Sequence, residues 1–198
     1  MLFIEIIPFL GLSILIALII RQTTSLKRRG IKTANTKNKS ALQKYILFPM
    51  YFLFFLLIVI ELLKPLIQVS ILPESFSEIK IASFYLKIAG TVFLLLSIVF
   101  MKLTLNDFTT SLRFGLNAKN KGKLLDSGVF AVSRNPFFLS IEIYFIGVVL
   151  FIPNWFFIVL TMLAFISIHF FILKEEKFMQ ANYGEEYKNY TAKVRRYF

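Results

Sequence analysis

Runs of about 20 apolar residues, separated by short basic stretches, limit what this chain can fold into. A helix of that length crosses the hydrocarbon core of a bilayer. Inside that core only structures that satisfy every backbone polar group internally persist. Leu2 to Ile20 is the first run, interrupted by Glu5, Pro8 and Ser13. No basic residue precedes it, a basic block follows it, and no small-residue cleavage site is present. It therefore reads as a span with its N-terminus outside, not as a secretory signal. Tyr45 to Leu63 is the second run, closed by Lys64 and Pro65 because proline cannot continue the ladder. Ile81 to about Leu105 is the third, with Lys87 placed to snorkel at its outer end. Phe137 to Ile152 and Trp155 to Leu173 follow, joined at the turn signal Pro153-Asn154. The last two runs predict a helical hairpin whose turn lies near the far interface, with Trp155 as its anchor.

Composition agrees with a non-aqueous solvent. The chain is 57% hydrophobic and holds 24 Phe, whereas a soluble domain is about 45–50% apolar. A core built from 198 residues is too small to hide them all. The net charge of +12 admits nucleic-acid binding as one reading. The positions of the charges favour another, because they fill the gaps between apolar runs, where membrane topology selects Lys and Arg. With no cysteine, disulfides, thiolate metal sites and Cys nucleophiles are excluded.

The polar stretches then orient the chain. Arg21 to Lys44 carries Arg21, Lys27, Arg28, Arg29, Lys32, Lys37, Lys39 and Lys44 and no acidic residue. It is a topology determinant by the positive-inside rule, with anionic-lipid binding as the functional alternative. Leu66 to Lys80 is nearly balanced in charge and fits the outer side. Asn106 to Asn135 carries Arg113, Lys119, Lys121, Lys123 and Arg134 against Asp107 and Asp126, which predicts a cytoplasmic segment. Lys174 to Phe198 is charged, helical in period and broken at Tyr183-Gly184. The expected fold is all-α: a polytopic membrane protein with about five transmembrane helices, including the C-terminal hairpin, and cytosolic C-terminal helices. Residues 1–105 form an N-terminal membrane region with three helices and the polybasic loop 21–44, and residues 106–198 a second region. The alternation puts both polar stretches of the second half on one cytoplasmic side, within reach of a soluble ligand.

Two short motifs stand at that side. In Ser133-Arg134-Asn135-Pro136, Asn is a good N-cap and Pro is favoured at the first helical position. The free N–H groups of such a helix start, beside Arg134, suit an anion, and an ordinary capped helix with a snorkelling Arg is the plainer reading. Lys174-Glu175-Glu176-Lys177 places two carboxylates at a membrane boundary, costly there unless solvated or paired. They either hold a cationic or hydroxyl-rich ligand or mark a solvated helix end. Glu142, about two turns into the hairpin, is an intramembrane carboxylate. It can orient or deprotonate an amine acceptor, or it pairs with Arg134 or reaches water near the boundary. His169 is the single histidine and stands about two turns before Glu176, as a general base or a hydrogen-bonded buried imidazole. A lone His also argues against a metal site. Arg195 and Arg196 either close a pocket or form a basic tail on anionic lipid. Phe54, Phe55, Phe156, Phe157, Phe170 and Phe171 read as lipid-facing or packing groups.

Taken together, Leu124-Leu125-Asp126-Ser127-Gly128-Val129-Phe130-Ala131-Val132-Ser133-Arg134-Asn135-Pro136-Phe137-Phe138, an apolar hairpin, Glu175-Glu176-Lys177-Phe178-Met179 and Tyr183-Gly184-Glu185-Glu186-Tyr187-Lys188-Asn189-Tyr190 form an ordered constellation. It resembles the isoprenylcysteine carboxyl methyltransferase superfamily, which includes bacterial relatives and phospholipid N-methyltransferases. The resemblance covers about Leu124 to Arg196, and the first two spans carry no such signature. It implies a membrane methyltransferase using S-adenosylmethionine, bound on the cytosolic side between the start of the hairpin and the polar C-terminal segment. Leu125, Gly128, Arg134, Asn135, Pro136 and Phe138 match one wall of that site, and Glu175 and Glu176 the acidic wall. Arg134, Glu142 and His169 are the candidates for catalysis, and no metal is implied. Asn135 stands where many members have His, and Phe138 where Tyr is usual, so a hydroxyl contact made there is absent.

The chemistry follows. Glu175 or Glu176 can accept from the cofactor's ammonium or ribose, and Arg134 with the N–H groups after Pro136 can hold its carboxylate. Methyl transfer from a sulfonium is an in-line displacement that needs alignment more than a protein nucleophile. The implied partner is a lipid or other lipophilic acceptor entering from the bilayer of what resembles a bacterial inner-membrane protein. Two other functions compete: a membrane NADPH-dependent reductase of the steroid and sterol type, similar in its C-terminal part, and a non-catalytic lipid-binding scaffold.

Overall fold

The computed structural model describes residues 2–29, 43–108 and 124–197, and it is all-helical over them. The helices are α1 (Leu2–Glu5), α2 (Ile7–Arg28), α3 (Phe48–Ile67), α4 (Glu74–Ser77), α5 (Phe84–Asp107), α6 (Pro136–Phe151), α7 (Trp155–Tyr183) and α8 (Glu185–Lys193). Four of them are long and apolar enough to cross a membrane: α2, the segment Tyr45–Ile67 containing α3, α5 and α7. The fifth apolar helix, α6, has 16 residues and is shorter. The basic residues Lys32, Lys37, Lys39, Arg113, Lys119, Lys121 and Lys123 lie outside the described residues.

The apolar surface is turned outward. Tyr51, Phe52 and Leu53 of α3 and Met162, Leu163 and Phe170 of α7 are all exposed. Water would penalise that arrangement by about 25 cal/mol per Å² of apolar surface; lipid does not. The molecule is accordingly a multi-pass membrane protein.

Burial concentrates where α2, α5 and α6 meet. The α5 residues Gly90, Leu94, Ser97, Met101, Thr104 and Leu105 are buried, a spacing of three and four that forms one helix face. That face packs along α6. The crossing is close because both helices lack a side chain there. A Cβ on Gly90 would stand 2.8 Å from the Gly147 carbonyl and from the Phe151 amide. Small residues that let backbones approach are the usual device between helices in lipid. Two polar groups inside the core are satisfied across helices: Ser97 Oγ donates to the Ser140 carbonyl at 2.8 Å, and Tyr144 Oη donates to the Pro8 carbonyl at 3.0 Å.

Two boundaries and one cap differ from the sequence expectation, while α6 begins at Pro136 as expected. α2 runs on from Ile20 to Arg28, because Leu26 is buried and Gln22 Nε2 donates to the Leu105 carbonyl at 3.0 Å. Pro65 does not end α3; it lies within the last turn, where one missing N–H is tolerated, and Gln68 at φ 53° ends the helix instead. Asn135 precedes α6 but does not cap it with its side chain; the amide is committed elsewhere, as shown below. By contrast Asn154 caps α7 as its type predicts, accepting from the Phe157 amide at 2.8 Å. The far end of the bundle is tied by Lys64 Nζ to Ser77 Oγ at 2.9 Å and by the Lys80 amide to the Pro153 carbonyl at 2.9 Å. The ends of α2, α5 and α7 and the start of α6 gather at the other end, and the candidate site is there.

Candidate functional site

The chain enters the site through a tight turn. Gly128 has φ +62° and begins a 3₁₀ turn, Gly128–Ala131. The Asp107 carboxylate at the end of α5 accepts from the Val129 amide at 2.9 Å. A Cβ at position 128 would collide with that carboxylate. Gly128 thus has a local cause: left-handed backbone and a carboxylate lying against it. The turn delivers Ser133-Arg134-Asn135 to the start of α6.

From the other direction, α8 carries a small second core. Leu124, Tyr187, Tyr190 and Val194 are buried together, with Met179 and Tyr183 packed on them. Tyr190 Oη donates to the Phe130 carbonyl at 2.7 Å, which locks α8 to the 3₁₀ turn. After α8 the chain folds back as a strap, residues 194–197, across the start of α6. The Arg134 amide donates to the Arg195 carbonyl at 3.0 Å, and Ser133 Oγ and Asn135 Nδ2 donate to the Arg196 carbonyl at 3.1 and 3.3 Å. This is why Asn135 does not cap its helix.

The strap brings the two motifs together. Arg134 Nη1 lies 3.4 Å from Glu176 Oε1. Arg196 donates to the same carboxylate through Nη2 at 2.7 Å and Nε at 3.1 and 3.2 Å. The Glu176 side chain is 12% exposed and that of Arg134 15%. Hydrogen bonding to Glu176 holds the Arg196 guanidinium protonated above its ordinary range. The Tyr187 hydroxyl lies against Arg134; burial, with the Glu176 charge adding to it, pushes that hydroxyl up to about 12. One donor in this cluster is unmet: Arg134 Nε is buried without a hydrogen-bond partner among the described residues. A buried guanidinium N–H without an acceptor is costly, so the place is suited to an anionic or otherwise accepting ligand.

The remaining sequence candidates fall around this centre. Pro136 is buried at the first position of α6. Phe138 meets Phe171 of α7 with ring centroids 5.2 Å apart, so it joins the two helices as packing. Glu175, next to Glu176, is half-buried and makes no ion pair among the described residues. Glu142 is 3% exposed. It does not pair with Arg134, whose partner is Glu176. His169 is half-buried and hydrogen-bonded, its Nδ1 2.9 Å from Tyr197 Oη. Gly128 lies against the Asp107 carboxylate, and Leu125 is half-buried just before the turn. For Arg196 the pairing with Glu176 decides against a loose basic tail, while the Arg195 side chain is exposed. The sequence reading missed Tyr197 and Asp107. Asp107 had one local signal, a carboxylate at a predicted helix end; Tyr197 had none.

No curated protein matches the chain significantly. A family model described as phospholipid methyltransferase matches residues 81–186, from just before α5 through the start of α8. That match covers more than half of the chain and includes Gly128, Arg134, Glu175 and Glu176. A helical membrane bundle whose Arg134 and Glu176 meet at one end, together with this match, places the chain in the phospholipid methyltransferase family.

Proposed function

We propose that this protein is an integral-membrane methyltransferase that transfers the methyl group of S-adenosylmethionine to a lipophilic acceptor. The observation that carries the reading is the Arg134–Glu176 pair with its unmet buried N–H. The residues present fit the cofactor: Arg134 Nε offers a donor suited to a carboxylate, and Glu175 offers an acceptor for an ammonium or ribose hydroxyl. Leu125, Gly128, Asn135, Pro136 and Phe138 are proposed as the rest of that wall, and Glu175 and Glu176 as the acidic wall. When bound, the cofactor's sulfonium supplies an electrophilic methyl group. Arg134 and Glu176 fix the donor's orientation, and Glu142 and His169 face the acceptor. Alignment of donor and acceptor is the main demand on the protein.

In this reading α6 and α7 form a hairpin and α6 is the fifth membrane segment. The N-terminus lies outside, and the strap, α8 and cofactor lie at the cytoplasmic face of a bacterial inner membrane. Lys27 and Arg28 in the last turn of α2, and Lys174 and Lys177 in the second half of α7, support that orientation. Residues 106–198 are then the cofactor-binding region, resting on the membrane region 1–105. The acceptor is a carboxylate, amine or thiol on a lipid-like molecule that enters sideways.

Calorimetric titration of purified protein with S-adenosylmethionine and, separately, with NADPH tests the cofactor. Binding of the first that weakens at least tenfold in Glu176→Ala is expected, from loss of a charge-assisted contact of roughly 1.5–3 kcal/mol. Equal binding by the variant refutes the site, and preferential binding of NADPH refutes the reaction. Mass spectrometry of lipids after incubation with isotopically labelled donor identifies the acceptor.

A further inference from the structure

The strap carries a residue that the proposed reaction does not yet use. The Tyr197 hydroxyl lies 2.9 Å from Nδ1 of His169, and the two rings stack with centroids 6.4 Å apart and planes 18° from parallel. The contact is anchored on both sides. Three hydrogen bonds hold the strap backbone to Ser133, Arg134 and Asn135, and Arg196 holds it to Glu176. His169 precedes Glu176 by two turns on α7, about 10 Å along the helix and on the same face. The strap therefore carries polar groups from the Arg134–Glu176 level down to His169.

A third group is electrostatically coupled to the pair. Glu142 of α6 is 3% exposed, makes no hydrogen bond or ion pair among the described residues, and acts electrostatically on the Tyr197 hydroxyl. Burial first, then the Glu142 charge, pushes that hydroxyl above its ordinary range, with Arg196 opposing and Glu176 adding. Tyr197 is thus a neutral phenol with one proton to direct. For Nε2 to keep a free lone pair the ring proton must sit on Nδ1, and the phenol oxygen 2.9 Å away is then its acceptor. The hydrogen bond made by one ring nitrogen sets the tautomer and so the role of the other.

We propose that Tyr197 is a positioning residue on the acceptor side of the site, holding His169 in the Nδ1-protonated tautomer so that Nε2 presents its lone pair to the methyl acceptor. This rests on the methyltransferase reading. Nε2 takes the proton that an amine N–H or thiol S–H acceptor loses as its lone pair bonds the methyl carbon. The carbon–sulfur electron pair of the sulfonium donor returns to sulfur as a thioether.

The chain has one histidine, so the test can be read without activity. Full-length protein with ¹⁵N-labelled histidine, in detergent and at a pH where imidazole is neutral, gives one ring spectrum that reports the tautomer. The Nδ1-protonated form is expected in the wild type, and conversion toward the Nε2-protonated form in Tyr197→Phe, which keeps the ring stack. An Nε2-protonated wild-type ring overturns the inference without any variant. A second arm measures labelled methyl transfer from S-adenosylmethionine into vesicles of phosphatidylethanolamine and phosphatidylglycerol. Turnover in Tyr197→Phe should fall about tenfold or more, a part of what general-base catalysis contributes, with cofactor affinity within about twofold of wild type. Unchanged turnover with normal cofactor binding overturns this inference alone. No cofactor binding by the wild type overturns the methyltransferase reading and this inference with it.

Discussion

Replacing Glu176 by Gln tests the joint on which the site is built. The carboxylate receives Arg196 at 2.7, 3.1 and 3.2 Å and Arg134 at 3.4 Å. Exposed ion pairs are worth about 0.2–1 kcal/mol. Removing one partner of a fully buried pair costs about 3–5 kcal/mol. Side-chain exposures of 12% for Glu176 and 32% for Arg196 place this pair between those limits. The amide keeps one acceptor oxygen but loses the charge, so a loss of about 2 kcal/mol is expected. A double-mutant cycle of Glu176→Gln with Arg196→Gln isolates the contact, with a coupling of about 1–2 kcal/mol expected. Equilibrium unfolding in mixed micelles measures it. The coupling should persist at high salt, because screening acts mainly on exposed charges. A coupling below about 0.3 kcal/mol, or one that salt abolishes, would refute the argument that this pair clamps the strap to α7.

Three further outcomes are expected. Gly90→Ala forces α5 and α6 apart, since its Cβ would stand 2.8 Å from the Gly147 carbonyl. A loss of about 1–3 kcal/mol, read as faster thermal inactivation in detergent, is the expected cost of overpacking, and an unaltered lifetime contradicts the close crossing. Gly128→Ala pays for left-handed backbone with about 1–2 kcal/mol and also displaces Asp107; if it unfolds no more readily than wild type, the turn is not held as described. Tyr187, raised to about 12 from an ordinary 10.0, stays protonated in the fold after it would ionise in the unfolded chain. Its stabilisation is therefore complete below about pH 10 and is lost as pH rises through 12. Ultraviolet titration of tyrosinate alongside unfolding should show that alkaline loss, reduced in Tyr187→Phe; an identical loss in the variant refutes the assignment.

The spans were legible because lipid imposes a length and a composition that any stretch of chain either meets or does not. Asn154 and the break at Gly184 were legible for a similar reason, since caps and helix ends are set within a few residues. Pro65 shows the limit of local rules: its effect depends on where in the helix it falls, and in the last turn it costs one hydrogen bond. Asn135 shows another, because its type suits a cap but the strap competes for its amide and prevails.

The sequence by itself determined that this chain is a helical membrane protein and that Arg134 and Glu176 belong to a related motif, since hydrophobic length and residue order are properties of the chain alone. Only the tertiary structure decided that Arg196 shares the Glu176 carboxylate with Arg134, that Asp107 braces Gly128, and that Tyr197 meets His169. Those contacts join residues 20 to 28 positions apart, and their distances depend on helix packing and on the path of the strap. No periodicity encodes such a path.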